Sequence, residues 1–378
     1  MKKILFALLV TFTALSLDSF YSAHGAELIQ VPQGVLLRSL TSWENVSRLE
    51  IFEDGHHFDL QSYDNVASYS FSQATLCRSS GYKAVSLTGE NEFIELSHLC
   101  HDGQSEDDQE FQFAFISDSQ LHPDRYLKTL VALSLLRQKL PNIRFVLHGG
   151  DYVQESTEEN WKLYRNITSQ LFSRSLPILP ILGNHEYKKD PGLAFFRQVF
   201  GKPETKTGYF DLFDFGFAAL VVLDSNLETK SDEENAIQTR WLEETLSQLS
   251  QQKKMVIAAF HHAPFSSGIG VVLRPQNPDY IKKHWTPLFE RYHVSLVLSG
   301  HEHIYERFLK NGIPYLVAGP SGGRAVFALP IHAADSVKLM AGLYTITVVT
   351  VRRDQGIEIK TFTPELAEID RAFFGTLE

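Results

Sequence analysis

Apolar residues in this chain come in short blocks, and their spacing changes once along its length. Between Ala26 and about Gln109 the blocks are brief and rich in β-branched and aromatic residues, as in Val35-Leu36-Leu37 and Leu49-Glu50-Ile51-Phe52, with Gly, Asp and Asn between them. That predicts a small β-rich unit. The stretch from His101 to Glu110 is acidic and holds no large apolar residue, which predicts a linker. Beyond it, apolar runs of four to seven residues alternate with helical stretches. Strands are expected at Phe111–Ser117, Ile143–Leu147, Pro177–Leu182, Ala218–Leu223, Met255–Phe260, Val294–Leu298, Tyr315–Ala318 and Tyr344–Val351. Helices are expected at Asp124–Leu140, stopped by Pro141, from a Ser156/Glu159 capping box through Phe172, near Asn235–Leu249, and at Asp279–Tyr292 with a kink at Pro287. Alternation of this kind predicts an α/β fold with helices covering both faces of layered sheet.

The first residues carry a different signal. Lys2 and Lys3 precede an uncharged run from Ile4 to Leu17, and Ala23-His24-Gly25 supplies small residues for cleavage. This predicts a signal peptide over residues 1–25 and a periplasmic or secreted protein. The run is shorter than the roughly 20 residues that span a bilayer, so no membrane span is expected after cleavage. In an oxidising compartment Cys77 and Cys100 read as one disulfide, the alternative being two buried thiols.

Composition narrows the function. With 43% hydrophobic and 21% charged residues among 378, the chain folds rather than remaining disordered. Lys and Arg number 35 against 45 Asp and Glu, a net charge of −10, and no basic run interrupts that balance. Bulk electrostatic binding of nucleic acid is therefore not expected. Any phosphate the protein handles must meet a local positive charge such as a metal.

In α/β sheets the loops beyond the carboxyl ends of strands converge, so residues directly after apolar runs are the ones to inspect. Five runs end in metal-ligand chemistry: Asp118-Ser119-Gln120, Gly149-Gly150-Asp151, Gly183-Asn184-His185-Glu186, His261-His262, and Gly300-His301-Glu302-His303. Taken singly, each has a structural explanation, since Asp and Asn favour turns and caps. Taken as an ordered set, two carboxylates, an amide and three histidines can hold two divalent ions if one carboxylate bridges them. Such a pair binds the attacking and leaving oxygens of a phosphoryl centre and acidifies a bridging water.

These motifs, in this order over about Phe111 to Lys360, resemble the calcineurin-like metallophosphoesterases, and more narrowly their purple acid phosphatase-like branch. The resemblance implies a four-layer αββα sandwich with a small N-terminal β-rich domain, over residues 26–110, and the metallophosphoesterase domain over 111–378. It implies that Asp118 and His303 bind a first metal with Gln120 in the place of a common histidine, that Asp151 bridges, and that Asn184, His262 and His301 bind a second. His185 would contact the phosphate and protonate the leaving group, with Glu186 orienting it. Gln120 replaces an imidazole by an amide oxygen, which favours Mn or Fe there over Zn, while Mn, Fe or Zn suits the pair in general. Gln154 stands where the purple enzymes carry an iron-bound tyrosine, and Tyr152 is misplaced to substitute, so a colourless protein is expected. His261, His148 and His122 are expected around the pocket or at the surface, and Arg324 and Arg307 are candidates for contacting substrate.

The expected activity is hydrolysis of phosphate esters, monoesters first, by attack of a metal-bridging hydroxide. The alternatives are a phosphodiesterase acting on cyclic nucleotides or nucleic acids, and a non-catalytic exported binding module with a degraded metal site, which Gln120 motivates. The expected partner is a small phosphate ester, with no stable nucleic-acid complex; oligomeric state is not legible.

Overall fold

The computed structural model describes the backbone of seven strands between residues 26 and 94, and residues 109–375 except 141, 173–177, 201–208, 269–272, 274 and 329–332. The expected signal peptide, most of the expected linker, Cys77 and Cys100 lie outside the described residues. Strands β1 (Ala26–Val31), β2 (Gly34–Ser39), β3 (Leu49–Glu53), β4 (His56–Leu60), β5 (Tyr69–Phe71), β6 (Ala84–Ser86) and β7 (Phe93–Ile94) pair antiparallel in two small sheets, ordered β1-β2-β5 and β4-β3-β6-β7.

Two larger sheets follow. The first holds β8 (Glu110–Ile116), β9 (Ile143–His148), β10 (Ile178–Pro180), β18 (Ile346–Arg352), β19 (Gly356–Phe362) and β20 (Glu368–Phe374), in the order β10-β9-β8-β18-β19-β20. The second holds β11 (Asp211–Asp214), β12 (Ala218–Val222), β13 (Met255–His262), β14 (Leu296–Gly300), β15 (Tyr305–Lys310), β16 (Ile313–Val317) and β17 (Ser336–Met340), in the order β11-β12-β13-β14-β16-β15-β17. Each sheet contains a run of parallel strands: β10, β9 and β8, from one edge of the first sheet inward, and β12, β13, β14 and β16 within the second.

Strand alternation divides the core into three layers. On β8, Phe111, Phe113 and Phe115 join Leu220, Ile257 and Leu298 between the sheets. Ala114 and Ile116 turn the other way, onto Tyr126, Leu130 and Leu133 of helix α1 (Pro123–Lys139) and Trp161 of α2 (Glu158–Phe172), with Phe196 of α3 (Ala194–Phe200). On the far side, Val256, Ala258 and Phe260 of β13 pack on Leu242 and Leu246 of α4 (Asp232–Gln251), Ile281 of α5 (Gln276–His284) and Phe289 of α6 (Thr286–Arg291). Helices, sheet, sheet, helices: this is the four-layer arrangement. Both faces of each central strand are covered, which is why they read as unbroken apolar runs.

Local signals were partly misplaced. Thr157, not Ser156, caps α2: its Oγ1 accepts the Asn160 N–H at 3.4 Å, while Ser156 Oγ accepts the Trp161 Nε1–H at 2.8 Å. A capping box does open α4, where the Glu234 N–H donates to Ser231 Oγ and the Ser231 N–H donates back to Glu234 Oε2. Pro287 does more than kink its helix. The chain breaks into α5 and α6 at Trp285, with Pro287 in the first turn of α6, because proline lacks the N–H a helix interior needs. No helix among the described residues is long and apolar enough to cross a membrane.

Arg307, a candidate for contacting substrate, is committed to the fold. Its Nε and Nη2 donate to the Asp370 carboxylate at 2.8 and 3.3 Å, joining β15 of one sheet to β20 of the other, and Tyr305 Oη donates to Asp370 at 2.8 Å. Burial alone would raise the Asp370 carboxyl, but these donors hold it below its ordinary value. A depressed folded value means stability that is present above the unfolded value near pH 4 and lost as pH falls through the folded one. Asp370→Asn is therefore expected to cost about 1–3 kcal/mol at pH 7, and to cost progressively less below pH 4, by denaturant unfolding. An equal penalty at pH 3 and pH 7 would rule this account out.

Candidate metal centre

Every motif expected at a strand end stands at one, and all five ends belong to the parallel strands of the two sheets. β8 delivers Asp118, β9 delivers Asp151, β10 delivers Asn184 and His185, β13 ends in His261 and His262, and β14 delivers His301 and His303. The loops that carry them are sharply turned. Asp118, Asp151, His301 and His303 all adopt left-handed backbone, with φ of 55°, 56°, 71° and 55°. Side chains other than glycine pay for that geometry, and such residues cluster at functional sites.

The loops are laced together by their own backbone: the Asp118 N–H donates to Gly150 O at 3.0 Å and the Ser119 N–H to Asp151 O at 2.9 Å. Glu186 is the pin. Fully buried, it accepts the Asp151 and Gly183 N–H groups on Oε2 at 3.0 and 2.9 Å and the Tyr152 N–H on Oε1 at 2.8 Å. Gly183 allows this approach, since a β-carbon there would collide with Asp151. Burial and the Asp151 charge push the Glu186 carboxyl up to about 8. Its oxygens face the Asp151 loop and not His185, so the orienting role expected toward His185 is not the one it plays. His185 instead has Nδ1 2.7 Å from Gln154 O and Nε2 against Lys188 Nζ, with Nε2 3.8 Å from Asp151 Oδ2.

Two clusters of donors result: Asp118, Asp151 and His303, and His261, His262 and His301, each with ligand atoms within 4.8 Å of one another. Asp151 Oδ2 lies between them, 3.3 Å from His261 Nε2 on one side and 3.3 Å from Gln120 Nε2 on the other. His303 Nε2 is 3.4 Å from Asp118 Oδ1. His261 Nε2 is also 3.1 Å from His301 Nδ1 and 3.3 Å from Asn184 Oδ1. The outer nitrogens are fixed by carbonyls, His261 Nδ1 at 2.7 Å from Gly149 O and His303 Nδ1 at 2.7 Å from Arg324 O, the arrangement that aims a ligating imidazole.

Of the adjacent pair, then, His261 is the histidine whose Nε2 meets Asp151, Asn184 and His301. The sequence places it outside the ligand set and puts His262 within. His262 lies on the helix side of β13, with Nδ1 2.9 Å from Ser225 Oγ and Nε2 3.2 Å from Asn277 Nδ2. Its ring still stands 4.4 Å from that of His301. The remaining candidates separate clearly. His148 is fully buried, stacked on Tyr152 at 4.0 Å, and faces Ser119; His122 lines a neighbouring cavity.

The donor set fits divalent cations. Carboxylates, imidazoles and amides without thiolates suit Mn, Fe, Zn or Mg. Burial disfavours charge on His261, yet Asp151 and Asp118 hold its pKa up at about 10, so the cage stabilises a positive charge at that spot. Gln120 Oε1 is buried with no hydrogen-bond partner among the described residues, while Nε2 faces Asp151 and lies 3.2 Å from His303 Nε2. A half-turn of the amide exchanges the two ends and presents the oxygen to the cage.

Comparison with known proteins agrees with this geometry. Residues 111–305, more than half of the chain, match the model of the calcineurin-like phosphoesterases. The chain belongs to that family. Members of the calcineurin-like phosphoesterase family use divalent metals, and this chain's similarities lie on the purple acid phosphatase side. It is 25% identical over 163 residues to purple acid phosphatase 23 of Arabidopsis thaliana, covering 41% of this chain and 34% of that protein, and 24% identical over 208 residues to purple acid phosphatase 15, covering 51% and 38%. The chain thus matches less than two fifths of the length of these relatives. In fold it is similar to a purple acid phosphatase from yellow lupin seeds, with a TM-score of 0.67 at 17% identity over 92% of this chain and 73% of that one. It is also similar to GAP50, an inner-membrane-complex anchor of Plasmodium, with a TM-score of 0.59 at 15% identity over 71% and 90%.

Proposed function

We propose that this calcineurin-like phosphoesterase is an exported hydrolase of phosphate esters, monoesters foremost, that works with two divalent ions. The observation that carries this is the meeting of Asp118, Asp151, Asn184, His261, His301 and His303 at one point, from strand ends spread over almost two hundred residues. Export rests on the first 25 residues of the sequence. Asp118, Gln120 and His303 would hold one ion, Asn184, His261 and His301 the other, and Asp151 would bridge; an oxygen-rich first site favours Mn or Fe there. When bound, the ions supply charge for the phosphoryl oxygens and an acidified water as nucleophile.

The chain's own groups do the positioning. The His301 N–H donates to both Asp118 oxygens at 3.1–3.2 Å, and the His185 N–H donates to Asp151 Oδ1 at 2.9 Å, so each carboxylate is held before any ligand arrives. Half-buried His185 presents Nε2 at the rim of the cage, where it can donate a hydrogen bond or proton to the departing oxygen. Gln154 meets His185 Nδ1 through its carbonyl, and the Tyr152 hydroxyl is tied to His148 O at 3.2 Å. Neither supplies a phenolate, so the metal-loaded protein is expected to be colourless.

Metal analysis combined with turnover of a mono-aryl and a bis-aryl phosphate tests this. Two ions per chain and faster hydrolysis of the monoester are expected, and Asp151→Asn should lower kcat/KM by at least a thousandfold, about 4 kcal/mol of barrier. Activity surviving within tenfold would rule out the bridging role. Fewer than two ions with no hydrolysis under any divalent cation would favour a binding module instead.

A further inference from the structure

Beside the cage lies a cavity of about 420 Å³ that the hydrolysis of a simple ester does not use. Its lining includes His122, Arg125, Lys128, Arg324, Tyr344 and Glu365. Two of its walls hang on residues of the metal centre. The His122 N–H donates to Gln120 O and Gly322 O, at 3.1 Å each, and Arg324 O accepts from His303 Nδ1. Between those walls the Gly322 and Gly323 N–H groups donate to Asp118 O at 3.0 and 2.7 Å. A β-carbon on Gly323 would come 2.6 Å from His303 Cε1, so the segment carrying Arg324 lies against the imidazole with no side chain between.

The charge of this cavity is opposite to that of the chain. A protein of net charge −10, counted with neutral histidines, gathers three cationic side chains here, Arg125, Lys128 and Arg324, against one lining carboxylate, Glu365, which is paired with Lys128. Among the described residues the carboxylate nearest Arg125 is that of exposed Asp124, at 3.6 Å, and its guanidinium sits 5.9 Å over the Tyr344 ring. The Arg324 side chain takes part in no ion pair or hydrogen bond among the described residues, and neither does the His122 ring. Unpaired guanidinium groups along a concave wall are what planar recognition of a carboxylate or phosphate requires. The volume is within the range of small-molecule sites.

We propose that this cavity binds a second anionic group of the substrate, held by Arg324 and Arg125. A phosphate monoester has one substituent beyond its phosphoryl group. With that group in the cage, whatever enters the cavity is carried by the alcohol. The protein therefore selects phosphate esters whose alcohol portion is itself anionic, a second phosphate or a carboxylate. This specificity rests on the phosphoesterase reading above, whereas the anion site itself does not.

The test compares phenyl phosphate with 1,4-phenylene bisphosphate on the metal-loaded wild type and on Arg125→Ala/Arg324→Ala. The double variant should lose at least tenfold more kcat/KM on the bisphosphate than on phenyl phosphate, chiefly through KM, and Arg324→Lys should lose less than Arg324→Ala. Added salt should narrow the wild-type preference. Equal losses on both esters, or a substrate ratio unchanged within twofold, would overturn the proposal. If neither ester turns over, the phosphoesterase reading fails separately, and calorimetric titration with inorganic pyrophosphate decides about the cavity. Binding at least tenfold weaker in the double variant keeps the anion site, and equal binding removes it.

Discussion

His261→Ala is expected to leave the protein with one bound ion in place of two and to lower kcat/KM by on the order of a thousandfold. The neighbouring variant His262→Gln is expected to keep both ions and most of the activity. The reason is what each imidazole meets. Ile257 and Ala259 look between the sheets and Val256, Ala258 and Phe260 toward the helices; beyond them the register of β13 shifts, and His261 Nε2 meets Asp151, Asn184 and His301. The His262 nitrogens meet Ser225 and Asn277 instead. Glutamine at 262 can still reach both partners, so that variant tests ligation without opening a cavity. Metal content of the purified proteins, measured together with circular dichroism, reads the difference. If His262→Gln loses an ion and His261→Ala retains both, the two assignments must be exchanged.

That pair also shows where the sequence stops being informative. The alternation of apolar runs and helices gives the layered α/β architecture, because each central strand is buried on both faces and each helix covers a sheet. The same double burial hides parity: with Val256 through Phe260 uniformly apolar, nothing in the pattern says which face His261 occupies. β15, β17, β19 and β20, toward the edges of the two sheets, escape notice because their exposed positions interrupt the apolar runs, as in Tyr305–Lys310 and Glu368–Phe374. Asp118, Asp151 and His301 are legible from their place after strands. Their left-handed backbone is not, since it follows from the lacing of neighbouring loops. Arg307 reads as a free cation in sequence because its partner, Asp370, is 63 residues away.

Glu186 is the clearest case of a residue whose chemistry is visible but whose direction is not, and its removal should have the largest effect on the fold around the site. Three backbone donors, those of Asp151, Tyr152 and Gly183, converge on the two oxygens of one buried carboxyl group. Glu186→Ala strands all three without water, at a cost of roughly 1–3 kcal/mol each where no relaxation intervenes. A total near 3–5 kcal/mol is expected once the loops relax. At about 2–4 °C per kcal/mol, the melting temperature should fall by roughly 6–20 °C. Because Asp151 is one of the donors, metal affinity should weaken together with stability, by about 10–100-fold. Glu186→Gln should fall between: its single oxygen can serve Asp151 and Gly183, but its amide N–H₂ then confronts the Tyr152 donor. His185→Ala, which removes no buried acceptor, should leave the melting temperature close to the wild type while slowing turnover. Thermal unfolding and metal titration of the three variants separate the two glutamate roles. A Glu186→Ala protein that melts within 2 °C of the wild type and binds metal equally well would show that the Asp151 loop is held by something other than this carboxylate.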